Sequence, residues 1–180
     1  MGCGKSSIGR RLSELLCCRF IDLDEEIEKK EGRSIAEIFA ADGEEAFRDI
    51  EEESLGIILS GKQRCRGWHD PRTPHAPRTS TILSLGGGTI MRKECAEMVG
   101  ERTSCIYLTA SVDTLVKNLA GEIEGRPMLA SGRPLRDRIT ELMAQRSSTY
   151  EMTAHIIIDT DGKDMDEIVR MIMTEIPSLR

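Results

Sequence analysis

The stretch Met1–Leu12, MGCGKSSIGRRL, decides the fold. Its centre, Gly-Cys-Gly-Lys-Ser, is the back half of the phosphate-binding loop GxxxxGK[ST], which stands between a strand and a helix. Small residues let backbone N–H groups face phosphate oxygens, while the lysine reaches the β- and γ-phosphates and the serine hydroxyl binds Mg²⁺. The apolar stripe of Ile8, Leu12, Leu15 and Leu16 predicts an amphipathic helix directly behind the loop. The stretch therefore indicates a phosphate-binding α/β protein, with a glycine-rich tail before a helix as the alternative.

The composition is that of a soluble globular protein of one domain, with 180 residues, 39% of them hydrophobic and 31% charged. A formal net charge of −6 argues against a nucleic-acid-binding protein. The six cysteines form no CxxC pair and no signal peptide is evident, which favours a reducing cytoplasm. The apolar runs are too short to cross a membrane.

Short β-branched runs alternate with longer segments of helical period, which predicts parallel strands joined by crossover helices. The predicted strands fall at 19–24, 81–85, 103–108 and 155–160. Local capping signals fix several helix ends. They are Gly32 as a helix stop, Ser111 as an N-cap, and capping boxes at Ser34 with Glu37 and at Asp42 with Glu45.

Two carboxylates and an arginine are candidate functional residues. Asp22 and Asp24 end a predicted strand two residues apart, so both are expected to face the ligand crevice at the carboxyl ends of the strands. One could hold Mg²⁺ through water and the other accept a proton from a hydroxyl, or Asp24 could only cap the next helix. Arg48 has Glu44 and Glu52 one turn away, and an exposed ladder of ion pairs is the alternative for this group.

A glycine-rich turn and two further arginines complete the candidates. Three glycines follow a strand in SLGGG, Ser84–Gly88, and allow a ligand to approach the main chain closely. Arg126 lies in a stretch rich in glycine and proline, where an arginine can bring positive charge to a phosphoryl group or be only a surface charge. Arg146 lies on a predicted helix.

Taken in order, GCGKS, FIDLD, DGEEAFRDIE, SLGGG, RPML and QRSSTY resemble the shikimate kinase family over most of the chain. The resemblance implies a three-layer α/β fold of the P-loop NTPase class, with a central parallel sheet between helices as in nucleoside monophosphate kinases. It implies a monomeric, ATP- and Mg²⁺-dependent enzyme that phosphorylates the 3-hydroxyl of shikimate in aromatic amino-acid biosynthesis. The alternatives are another small-molecule P-loop kinase, such as a gluconate kinase, and a non-catalytic nucleotide-binding domain.

The same resemblance assigns residues to roles. ATP would be bound by Gly2, Cys3, Gly4, Lys5, Ser6, Ser7 and Arg126. Mg²⁺ would be bound by Ser6 and, through water, by Asp22, with Ser84 as a further candidate. Shikimate would be bound by Asp24, Arg48, Gly86, Gly87, Gly88 and Arg146. The catalytic groups would be Lys5, Asp24 as the base, and Arg126 as the lid arginine, a role for which Arg133 competes.

The resemblance also divides the domain, 1–180, into substrate-binding helices at 24–60, a loop insertion at 61–80 and a lid at 118–135. The insertion has three prolines and no periodicity, which predicts an extended surface loop. It contains Cys65, His69 and His75, but their spacing matches no usual zinc site, so we expect no metal there.

The start of the chain departs from the family pattern. Family members carry a strand and the first glycine of the phosphate loop ahead of the position of Met1. That strand lies in the middle of the parallel sheet, so without it we expect two strands to lack a neighbour. Our hypothesis is that the natural protein starts upstream, and an in-frame apolar strand in the adjacent DNA would support it.

Overall fold

The computed structural model describes residues 2–61, 81–120 and 134–176. The predictions for the loop insertion, for most of the lid, and for Arg126 and Arg133 lie outside these residues. The strands are β1 Arg19–Asp22, β2 Thr81–Ser84, β3 Ile106–Thr109 and β4 Ile156–Asp159. The helices are α1 Lys5–Leu15, α2 Leu23–Glu31, α3 Ile35–Leu59, α4 Lys93–Arg102, α5 Val112–Leu119, α6 Leu135–Thr153 and α7 Met165–Glu175, with a 3-10 turn at Thr89–Met91.

The strands form two parallel pairs rather than one continuous sheet. In β1 and β2, Arg19 lies opposite Thr81, and in β3 and β4, Ile106 lies opposite Ile156. Within the described residues no ladder joins β2 to β3. This agrees with the expectation that two strands lack a neighbour, since nothing in the described ranges lies between β2 and β3 to pair with both.

Local capping explains where α2 begins and ends. The Asp22 side chain accepts a hydrogen bond from the Asp24 backbone N–H at 3.1 Å, and α2 therefore starts directly behind β1. Gly32 ends the helix in the left-handed conformation, with φ of 65°, as predicted. The prediction that Asp24 ends a strand is wrong, because the cap formed by Asp22 draws it into the first turn of α2.

Helix α3 begins at the predicted capping box of Ser34 and Glu37 and has a kink at Gly43. The glycine adopts φ of 85° and ψ of 174°, a conformation that few other residues take. Asp42 and Glu45 do not form the second predicted capping box. Their carboxylates pair instead with Arg33 and Arg92.

Two aliphatic cores lie on either side of the strands. Ile8 and Leu12 of α1 pack with residues of β3, β4 and the last three helices, whereas Leu23 and Phe47 belong to a second core beneath α2, α3 and α4. Leu15 was predicted on the buried stripe but is 46% exposed, because α1 ends there. No helix of the described ranges is long and apolar enough to cross a membrane.

Candidate active site

The phosphate-binding loop leads into α1 through two glycines in the left-handed conformation. Gly2 has φ of 66° and Gly4, the N-cap of α1, has φ of 68°. Among the described residues no side chain caps α1, so the N–H groups of its first turn, which begins at Lys5, can bind a phosphate. Asn118 holds the loop from α5, since its Nδ2 donates to the Gly2 carbonyl at 2.8 Å.

The remaining residues of this loop face in different directions. The Cys3 side chain is buried in the core, which leaves its backbone as the part that could contact a phosphate. Ser7 is exposed, and Ser6 faces the ends of the strands. A Cβ on Gly2 would lie 2.9 Å from Leu119 Cγ, so a larger residue would displace the loop.

Three side-chain oxygens lie close together at the carboxyl ends of β1 and β2. They belong to Ser6, Asp22 and Ser84. Ser6 Oγ donates to Asp22 Oδ2 at 2.6 Å and lies 3.4 Å from Ser84 Oγ. Mg²⁺ takes oxygen ligands and usually combines one or two carboxylates with substrate phosphates and waters. This donor set suits Mg²⁺ that is shared with a nucleotide. The described part of the chain has no cluster of three or more His, Cys, Asp or Glu that would form an all-protein site.

Asp24 is a carboxylate with an elevated proton affinity. Burial, the nearby charge of Asp22 and that of Glu51 raise its pKa to about 6, against the opposing charges of Lys5 and Arg48. A base with a pKa in this range is ionised at neutral pH and still accepts a proton readily. The helix-cap interpretation of Asp24 is wrong, because Asp22 holds that position.

Arg48 is held inside the protein rather than on its surface. Only 11% of its side chain is exposed, Nη1 donates to Glu51 Oε2 at 2.5 Å, and Nη2 donates to Glu44 Oε1 at 3.2 Å. The predicted partner Glu52 instead accepts from Arg92, because that face of α3 points toward α4. The interpretation of Arg48 as part of an exposed ladder is therefore wrong.

Glu51 is a site residue that the sequence did not reveal. It is 1% exposed, and Thr89 Oγ1 donates to its Oε1 at 2.5 Å. Burial opposes the charge of Arg48, but Glu51 and Glu44 outweigh this effect and raise the pKa of Arg48. The spacing of three residues between Arg48 and Glu51 on a helix could have indicated the pair.

The glycine turn after β2 brings these groups to one place. The Gly87 carbonyl accepts from Arg146 Nη1 at 3.0 Å, and Arg146 is 8% exposed. A Cβ on Gly88 would overlap the Arg48 guanidinium, and one on Gly86 would lie 3.0 Å from Asp24 Oδ1. Two guanidinium groups and one carboxylate therefore surround a short turn without side chains.

Tyr150 was also missed as a contact of this turn, although it lies one helical turn after Arg146. Its hydroxyl donates to the Gly87 carbonyl at 2.5 Å. Together these groups suit a small acceptor that carries an anionic group and a reacting hydroxyl, with phosphates bound at the start of α1.

Comparisons with known proteins identify similar chains. A profile of the family described as Shikimate kinase matches residues 1–64 and 75–177. The shikimate kinase of Dictyoglomus turgidum is 39% identical over 170 residues, which cover 93% of this chain and 88% of that protein. The shikimate kinase of Rhodococcus jostii is 38% identical over 175 residues, with 97% and 92% covered.

Solved structures agree with this result. A shikimate kinase from Acinetobacter baumannii in complex with shikimate has a TM-score of 0.85 and 29% identity, over 100% of this chain and 90% of that one. The shikimate kinase of Aquifex aeolicus has a TM-score of 0.74 and 26% identity, over 99% and 92%. These similarities confirm the predicted α/β fold of the P-loop class.

Proposed function

Because this chain belongs to the shikimate kinase family of ATP-dependent kinases, we propose that it transfers the γ-phosphoryl group of ATP to the 3-hydroxyl of shikimate. The family and enzyme class predicted from the sequence are thereby confirmed. One observation of the structure carries the choice of acceptor. Asp24, Arg48 and Arg146 converge on the turn Gly86–Gly88, beside the phosphate-binding loop.

The two arginines would hold the carboxylate of shikimate. A planar guanidinium matches a carboxylate with two parallel N–H donors, and both groups are largely buried, where such contacts are strong. Glu51 and Gly87 already fix the position of Arg48 and of Arg146 before a ligand binds. The glycines let the Arg48 guanidinium and the Asp24 carboxylate lie directly against the main chain of the turn.

The start of α1 would hold the triphosphate of ATP. Its backbone N–H groups and Lys5 supply positive charge at the β- and γ-phosphates. Ser6 and, through water, Asp22 would hold Mg²⁺, whose chemistry there would be to neutralise the charge that develops on the phosphoryl oxygens. Arg126, the proposed lid arginine, would add a further positive charge at the phosphates.

The chemistry would consist of one proton transfer and one phosphoryl transfer. The 3-hydroxyl oxygen forms a bond to the γ-phosphorus while the bond from that phosphorus to the departing ADP oxygen breaks, and the hydroxyl proton passes to Asp24. Because the transition state for phosphoryl transfer is loose, positioning and charge contribute most of the rate acceleration.

The proposal is tested by ADP release from the purified chain with ATP, Mg²⁺ and one acceptor at a time. Shikimate should give turnover and a product that is heavier by one phosphoryl group, whereas gluconate should give neither. Turnover with gluconate alone would replace the proposal by the gluconate kinase alternative. ATP binding without turnover of shikimate would favour the non-catalytic domain.

We predict a pH dependence that follows from Asp24. Its pKa of about 6 means that the base is lost by protonation as the pH falls below that value. At saturating ATP, kcat/KM for shikimate should be flat above about pH 7 and decrease about tenfold per unit below about pH 5.5. A profile that stays flat down to pH 4.5 would contradict the role of Asp24 as the base.

We predict that Gly88→Ala weakens shikimate binding. The added methyl group would overlap the Arg48 guanidinium and displace it, so KM for shikimate should increase at least about tenfold with little change in KM for ATP. Gly100→Ala in α4 is the matched control, because a Cβ there meets nothing within 4 Å. Equal effects of the two substitutions on KM would show that the close approach at Gly88 is not important.

A further inference from the structure

Tyr150 shares one acceptor atom with Arg146. The two residues lie four positions apart on α6 and are each 8% exposed. Arg146 Nη1 and the Tyr150 hydroxyl both donate to the Gly87 carbonyl oxygen, at 3.0 and 2.5 Å. A carbonyl oxygen has two lone pairs and can accept both hydrogen bonds, so Gly87 links the side chains of Arg146 and Tyr150.

The Tyr150 ring is itself held in place. It packs against the ring of Tyr107 in β3, with the centroids 5.1 Å apart and the planes tilted by 43°. Burial raises the pKa of Tyr150, although the charge of Arg146 and a side-chain hydrogen bond with Arg146 oppose the shift. The hydroxyl therefore keeps its proton at neutral pH and remains a donor to Gly87.

We propose that Tyr150 is a positioning residue for acceptor binding, which acts on Arg146 both directly and through Gly87. This inference rests on the proposed function of the site. A free arginine side chain has many rotamers, and binding a carboxylate with it costs conformational entropy. A carbonyl that is fixed by Tyr150 holds the guanidinium in one orientation. Since a guanidinium has five N–H groups, donors remain for the carboxylate of the ligand.

The first test is Tyr150→Phe, which removes the hydroxyl and keeps the ring. KM for shikimate should increase about three- to tenfold, the usual effect of one lost hydrogen bond. KM for ATP and kcat should change less than about twofold. Tyr107→Phe is the matched control, because it removes the hydroxyl of the other ring and leaves both contacts of Gly87 in place. An equal increase of KM in the control would overturn the proposal.

The second test separates positioning from general weakening of the fold. In an Arg146→Gln background, Tyr150→Phe should change KM for shikimate less than about twofold, because the residue through which it acts is absent. Additive effects in this double-mutant cycle would overturn the proposal, since a structural defect would act in either background.

The failure of this inference differs from the failure of the proposed function. The same cycle can be measured as Kd for shikimate by calorimetry, without turnover. Wild-type protein that binds shikimate but does not phosphorylate it would reject the function and leave the cycle in Kd to decide the role of Tyr150. Wild-type protein that does not bind shikimate would overturn both.

Discussion

The Asp24→Asn variant is expected to lose at least about a hundredfold in kcat for shikimate phosphorylation and to keep its affinity for ATP. Asparagine has the shape of aspartate but cannot accept the proton of the 3-hydroxyl. The phosphate-binding groups, Lys5 and the first turn of α1, are unchanged by the substitution. Steady-state kinetics and ATP titration measure the two effects separately.

The same variant should be more stable than the wild type at neutral pH. The pKa of Asp24 is about 6 in the folded protein and about 4 in an unfolded chain, so the folded state binds more protons between these values. Its carboxylate therefore destabilises the fold progressively from about pH 4 to pH 6, and the cost is constant above. Asp24→Asn should gain about 1–3 kcal/mol in the free energy of unfolding at pH 7 and much less at pH 4.

Glu25→Gln is the matched control for this variant. Glu25 follows Asp24 in α2, but its side chain is 59% exposed, so we expect near-normal kcat and stability. Near-normal turnover of Asp24→Asn would remove Asp24 from its role as the base. A less stable Asp24→Asn protein would show that the raised pKa is not a property of the folded state.

The Arg48→Met variant is expected to have two large defects. Without the guanidinium, KM for shikimate should increase at least about a hundredfold, because a charge-assisted pair with the carboxylate is lost. The free energy of unfolding should also decrease by about 3–5 kcal/mol, because Glu51, which is 1% exposed, would remain as a buried carboxylate without its cation. Kinetics and urea unfolding measure the two defects.

A second substitution separates these defects. In Arg48→Met with Glu51→Gln, the buried charge is absent, so most of the lost stability should return. The increase in KM should remain, because no group replaces the guanidinium. If the double variant recovers shikimate binding together with stability, Arg48 acts only on the fold and the assignment of its role in binding is wrong.

Much of the candidate site could be predicted because the chemistry proposed for it depends on short local patterns. A phosphate loop, a carboxylate behind a strand and a glycine turn each have a characteristic sequence, and their order indicated the family. The helix ends at Gly32 and Ser34 were predictable for the same reason, since a cap forms between residues a few positions apart.

The remaining features depend on tertiary packing. Both Glu51 and Glu52 have a spacing from Arg48 that allows an ion pair, and only the orientation of α3 on the glycine turn selects Glu51. Tyr150 contacts Gly87 because α6 packs beside that turn, which no local pattern reveals. Strand β1 ends at Asp22 rather than at the predicted Asp24, because the Asp22 side chain caps α2.

The parallel strand pairs also bear on how the chain folds and what it tolerates. Arg19 pairs with Thr81 and Ile106 with Ile156, so each ladder closes a loop of roughly 50 to 60 residues, and slow formation of such distant contacts is expected to limit the folding rate. Residues 65–74, which the family profile leaves unmatched, fall within the first of these loops. Because closure entropy grows only with the logarithm of length, ten more residues there cost about 0.2 kcal/mol. Evolution can therefore lengthen this connection with almost no loss of stability. One methyl group added at Gly88, in contrast, would displace the Arg48 guanidinium.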